Sequence, residues 1–164
     1  MALTTKRFAG AVLVASVVVL GAALLSQYWG GLTPCELCLL ERWPWWVAIA
    51  IAAASWLTGD RLAPQIPAFL LAIVFLVGAG LGLYHVGVEQ HWFAGPAACT
   101  AVGAAATSVD ALRAQLLGKQ AVMCDEVQWS LFGVSMAGWN MIASAIMAAA
   151  CVEVARRSRR MRFA

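Results

Sequence analysis

Charge is scarce in this chain. Only 12% of its 164 residues are Asp, Glu, Lys or Arg, against about a quarter in a soluble globular domain. Apolar residues make up 63%, and the mean hydropathy is +0.81. A soluble protein this small has too unfavourable a surface-to-volume ratio to hide so much apolar surface, so lipid has to cover it. Low-complexity segments and convincing internal repeats are also missing. That leaves a single membrane domain over residues 1–164 as the expected organisation. The net charge is +3, but no other feature supports a nucleic-acid partner, and topology accounts for the excess.

Four apolar stretches reach or approach the roughly 20 helical residues that cross a hydrocarbon core about 30 Å thick. They cover about 8–25, 39–57, 67–84 and 131–152, which predicts an all-α bundle of four transmembrane helices. The second is the awkward one. From Trp43 to Leu57 it has 15 residues, and starting it at Leu39 gives 19 but draws Glu41 and Arg42 into its first turns. Charges there are costly unless functional or snorkelling, and the expectation is that both lie near the headgroups. Pro44 suits a first helical turn. Trp43, Trp45 and Trp46, Tyr28 with Trp29, and Trp92 with Phe93 fall where aromatic belts form. Gly78 with Gly82, and Ser144 with Ala148, have the small-x-x-x-small spacing that lets helices approach closely in lipid, although a chain this rich in Ala and Gly produces such spacings by chance.

Basic residues set the expected orientation. Lys6, Arg7, Arg61, Arg156, Arg157, Arg159, Arg160 and Arg162 fall on one face, and only Arg42, Arg113 and Lys119 on the other. Both termini are therefore expected in the cytoplasm, with loops of about 26–38 and 87–130 facing outward. Lys6-Arg7 before an apolar run has the look of a secretory signal, but the run is longer than a typical signal core. Within the long loop, Thr107 to Leu117 reads as a short helix opened by a Thr107-x-x-Asp110 capping box.

The outward loops hold four of the five cysteines: Cys35 and Cys38 in one, Cys99 and Cys124 in the other. Outside the cytoplasm disulfides form and persist. A C-x-x-C ring is too small to be a good entropic staple, but it is a good redox couple, because one thiol stands ready to attack a mixed disulfide on its neighbour. Cys99 and Cys124 would close a longer loop, for which a purely structural bridge is ordinary. Four cysteines allow three connectivities. A zinc site using these cysteines with His85 and His91 is disfavoured, because 24 residues separate Cys99 from Cys124 and an oxidising compartment does not maintain four thiolates. No metal is expected. Cys151, inside the fourth span, reads as a small buried apolar residue.

Pro34-Cys35-Glu36-Leu37-Cys38-Leu39-Leu40-Glu41-Arg42 resembles the P-C-x-x-C-x-x-E-R block of the disulfide bond formation protein B (DsbB) family. Gln128-Trp129-Ser130-Leu131-Phe132-Gly133-Val134-Ser135-Met136, ending in Trp139, is similar to that family's motif entering the last span. The resemblance covers nearly the whole chain. It implies a quinone-dependent thiol oxidase of the bacterial inner membrane. Such an enzyme oxidises a periplasmic DsbA-like partner of thioredoxin fold and passes the electrons to ubiquinone or menaquinone. It further implies redox-active pairs Cys35–Cys38 and Cys99–Cys124, attack by the partner at Cys99, exchange of Cys124 with Cys35, and Cys38 facing the quinone.

Two departures stand out. Glu36 puts a carboxylate between the cysteines, where negative charge disfavours a thiolate. Ala137-Gly138 replaces a Met-Pro step and leaves the start of the last helix open. Arg42 lies at i+4 from Cys38, on the same helix face, where a guanidinium could stabilise a thiolate and bond a quinone carbonyl. Glu41 is expected to orient Arg42, and His85 to be a second quinone contact. Two rival readings are a vitamin K epoxide reductase-like enzyme, against which the tryptophan motif argues, and a structural four-helix membrane protein braced by loop disulfides.

Overall fold

The computed structural model describes residues 4–96 and 123–163. Cys99 and the expected short helix from Thr107 to Leu117 lie outside the described residues. Four helices long and apolar enough to cross a membrane make up the described chain. They are α1 (Thr5–Tyr28), the α2–α3 pair (Glu36–Leu40 and Arg42–Thr58), α4 (Gln65–Glu89) and α5 (Met136–Phe163). A two-residue hairpin, β1 (Ser130–Leu131) with β2 (Val134–Ser135), precedes α5. The fold is thus the expected four-helix membrane bundle.

The side chains sort as lipid requires. The interior is built from Phe8, Val12, Trp45, Leu71, Phe75 and a run of alanines. Val14, Val18, Leu57, Phe69 and Leu76 point outward and stay exposed. With no hydrophobic drive between helices in lipid, close backbone packing holds the bundle together. Both glycines of the third span lie against the fourth, Gly78 on Ser144 and Gly82 on Met141. A methyl group on Gly82 would sit 2.9 Å from Met141 Cα, and one on Gly78 would sit 3.1 Å from Ser144 Oγ.

Two helix boundaries differ from expectation. The second span is broken after Leu40, and the turn falls at Glu41. Pro44 accounts for this, since a proline ring crowds the carbonyl four residues earlier, here Leu40. Glu41 is thereby aimed into the bundle. It is buried and does not snorkel to headgroups. The helix of the fourth apolar stretch starts at Met136, not Leu131. The hairpin takes up 130–135, with Phe132 and Gly133 both at positive φ, and Ser135 Oγ caps α5 by accepting from the Gly138 amide at 3.1 Å. That cap serves as the helix start in place of a Met-Pro step.

The two ends of the bundle differ in chemistry. At one end, the Lys6 amide lies by Asp60, Thr5 bonds the Leu62 carbonyl, and Gln65 shares a groove with Arg156 and Arg159. At the other end lie the C-x-x-C motif, the end of α4 and the hairpin.

Candidate active site

Cys35 is the N-cap residue of α2, and its sulfur accepts the Cys38 backbone amide at 3.2 Å. The turn brings the two sulfurs within 2.9 Å, and both thiols are free. From α4, His85 Nε2 reaches Cys35 Sγ at 3.6 Å. The other ring nitrogen, Nδ1, bonds Glu41 Oε1 at 2.6 Å. From α5, Asn140 Nδ2 donates to Glu41 Oε2 at 2.7 Å. Trp45 Nε1 in turn donates to Asn140 Oδ1 at 2.7 Å. Three spans thus contribute to one largely buried polar chain ending on the Cys35 sulfur. Such a network is stable in a low-dielectric interior only because each member has a partner.

The Cys35 thiol is shifted far from its ordinary value. The hydrogen bond from the Cys38 thiol is the largest cause. Together with the His85 ring and the Cys38 amide it outweighs burial and holds the Cys35 pKa down at about 4. These contacts favour the Cys35 thiolate, the form that reacts. Glu36 does not oppose this. It is exposed at the first position of α2, so water and the helix N-terminus accommodate its charge.

Arg42 starts α3, and its Nη1 donates to Gln27 Oε1 of α1 at 2.6 Å. Glu41 therefore orients His85, and Gln27 orients Arg42, contrary to the expected Glu41–Arg42 pairing. Trp45 also departs from expectation. Trp43 and Trp46 are exposed as belt residues should be, but Trp45 is 2% exposed, packed edge-on against Phe75.

An open cleft lies beside the dithiol, its wall including Cys35, Cys38, Arg42, His85, Trp129 and Ala137. The expected residues Cys35, Cys38, Arg42 and His85 are thus brought together at one site. Cys124 is disulfide-bonded and 1% exposed, and it shares a buried cluster with Cys35, Leu37 and Val88. The fourth expected cysteine, Cys99, lies outside the described residues. His91 is exposed on the turn after α4. Cys35, Cys38 and His85 also hold one donor atom each within 4.8 Å of one another.

The family described as "Disulfide bond formation protein DsbB" matches residues 5–154. The chain belongs to the DsbB family. It is similar to "Disulfide bond formation protein B" of Aromatoleum aromaticum, 29% identical over 146 residues that cover 85% of this chain and 86% of the relative. The protein of that name from Herminiimonas arsenicoxydans is 26% identical over 153 residues, 91% of this chain and 94% of the relative. The one from Hahella chejuensis is 30% identical over 134 residues, 76% and 77% of the two chains. No solved structure matches. Membership in the DsbB family makes this a disulfide oxidoreductase of disulfide bond formation, and its four spans make it a multi-pass membrane protein.

Sequence reasoning missed Gln27, Asn140 and Trp45. Asn140 carried a usable signal, since a polar side chain within a membrane span is generally functional or paired. Gln27 carried none, as its role depends on where α1 ends relative to α3.

Proposed function

We propose that this protein oxidises a periplasmic, DsbA-like dithiol oxidase of thioredoxin fold and passes the electron pair to membrane quinone. The cysteine end of the bundle faces the periplasm, and the arginine-rich end faces the cytoplasm. The observation that carries the reading is a dithiol set in the wall of a cleft between a guanidinium and an imidazole, with a third cysteine, Cys124, disulfide-bonded and packed against it.

The chain's residues act as a relay. A thiolate of the reduced partner attacks Cys99 of a Cys99–Cys124 disulfide, and Cys124 leaves as a thiolate. The partner's second thiol resolves the mixed disulfide and departs oxidised. Cys124 then attacks Cys35 of the Cys35–Cys38 disulfide and frees Cys38. Attack by Cys99 on Cys124 restores the first disulfide and leaves Cys35 and Cys38 reduced. Burial of Cys124 in the Cys35 cluster supports that exchange. The net transfer is two electrons and two protons.

Arg42 and the cleft wall beside Cys38 would hold a quinone, which would supply the two-electron sink. The fit rests on the cleft's largely apolar wall, suited to a flat ring, and on Arg42, whose guanidinium can donate to a carbonyl oxygen. Gln27 holds that guanidinium in place, Cys38 presents its sulfur to the cleft, and His85 steadies the Cys35 thiolate. A strong sink is required, because a partner near about −120 mV is already a strong oxidant and each 30 mV is worth about 1.4 kcal/mol for two electrons.

The test is direct. Reduced, purified protein is mixed with a short-chain quinone and quinone absorbance is followed. Stoichiometric reduction that is lost in Cys38→Ser is expected. Cysteines that leave the quinone untouched would reduce them to loop braces.

A further inference from the structure

The polar chain behind the dithiol extends further than the redox reading requires. Glu41 and His85 would suffice to support Cys35, yet α5 adds an amide and α3 adds an indole. We infer that Asn140, oriented by Trp45, is a positioning residue that fixes the Glu41–His85 pair and so sets the reactivity of the Cys35–Cys38 couple. The inference rests on the reading of that couple as the redox pair.

The geometry is directional. An amide has one donor end and one acceptor end. Trp45 Nε1–H can only donate, so it fixes Oδ1 toward itself at 2.7 Å. Nδ2 is then turned to Glu41 Oε2 at 2.7 Å. Glu41 receives Asn140 on one oxygen and His85 on the other. Two donors, one per oxygen, suit a carboxylate and hold its plane. The carboxylate in turn orders the His85 ring so that Nε2 faces Cys35 at 3.6 Å. A carboxylate behind a histidine is a common means of fixing ring orientation and basicity. Trp45 is itself immobilised, buried and packed against Phe75.

Few other charges compete for this chain. Cys38 is its partner on α2. Arg42 at the start of α3 is taken by Gln27 of α1. On α4, Glu89 accepts from Ser135 and Tyr84 donates to the Ala94 carbonyl. Glu126 lines the same cleft, and α5 carries no charged residue before Glu153. Asn140 is therefore the group on α5 through which the last span acts on the thiols.

The experiment uses the full chain, reduced, in detergent micelles. Cys35 is alkylated with iodoacetamide across pH 3.5–9 and quantified by peptide mass spectrometry. Asn140→Leu should move the Cys35 midpoint upward by about one pH unit. Trp45→Phe keeps an aromatic ring, though a smaller one, and loses the N–H, and should move it the same way by less. In a Glu41→Gln background, Asn140→Leu should cause no further shift. An Asn140→Leu profile that overlays wild type overturns the inference, as does an equal shift with and without the Glu41 carboxylate. Should Asn140→Leu fail to fold, Trp45→Phe decides alone, and its overlay on wild type overturns the inference. Quinone reduction by the wild type is run in parallel. Its absence would remove the electron route to quinone while leaving the alkylation profiles to judge Asn140.

Discussion

Gly82 offers a sharp test of how the bundle holds its redox site. A methyl group there would lie 2.9 Å from both Cα and Cβ of Met141 and 3.0 Å from its amide nitrogen. Ordinary contacts begin near 3.4 Å, and two of the three atoms are backbone, so no side chain can simply swing away. Helix α5 has to move by about half an ångström. Over-packing of this kind costs typically about 1–3 kcal/mol. At Gly80, two residues earlier, an added methyl group would meet nothing within 4 Å, so Gly80→Ala is the control. Both substitutions share the gain of about 1 kcal/mol in helix propensity, which cancels in the comparison. Gly82→Ala should therefore unfold below Gly80→Ala by about 1–3 kcal/mol, or roughly 2–12 °C at this chain length, in a thermal melt followed by tryptophan fluorescence in micelles. Met141 adjoins Asn140, so the same shift should slow quinone reduction in Gly82→Ala and spare Gly80→Ala. Equal melting temperatures for the two variants would refute close α4–α5 packing.

The pH dependence of Cys35 follows from its lowered pKa of about 4. A depressed thiol stays ionised as pH falls, so alkylation of reduced protein should be flat from pH 9 to near 5 and decline only through about 4; a midpoint near 9 would contradict the geometry. Arg42→His should raise the apparent KM for quinone far more than it changes attack by the dithiol partner. Gln27→Leu should act in the same direction more weakly, since it frees the guanidinium without removing it; unchanged KM in Arg42→His would dismiss the quinone role. Ser135→Ala removes the α5 cap and releases Glu89. It should cost about 1 kcal/mol, read as a melting temperature roughly 2–4 °C lower.

The four spans and the C-x-x-C site were legible because each depends on short-range pattern. Apolar length identifies a helix in lipid, and the turn from Cys35 to Cys38 is local. What escaped was set by contacts between spans. Cys38 and Arg42 share a face by helical arithmetic, but Pro44 breaks the helix between them at Glu41, and no periodicity reveals which way the freed carboxylate then points. Trp45 sits among belt tryptophans and looks the same in sequence as Trp43 and Trp46. Only its position opposite Asn140, 95 residues on, turns it inward. The Gly78/Gly82 and Ser144/Ala148 spacings were legible as patterns without weight. Their meaning came from the close approach of α4 and α5.

Two carboxylates flank this dithiol, and position decides which matters. Glu36 is adjacent in sequence to Cys35 and looks like the charge that would oppose a thiolate. It is solvent-exposed, where water screens it and its field at the sulfur is weak. Glu41 is three residues past Cys38, buried, and bonded to His85 at 2.6 Å. Its charge reaches Cys35 through an imidazole, which presents its far nitrogen to the sulfur. A negative group thus supports another negative group, because the ring between them inverts the sign of the contact. Glu36→Gln should accordingly leave the Cys35 alkylation profile in place, and Glu41→Gln should raise its midpoint. Should Glu36→Gln produce the larger shift, sequence proximity would outweigh the buried network, and the assignment of Glu41 would fall.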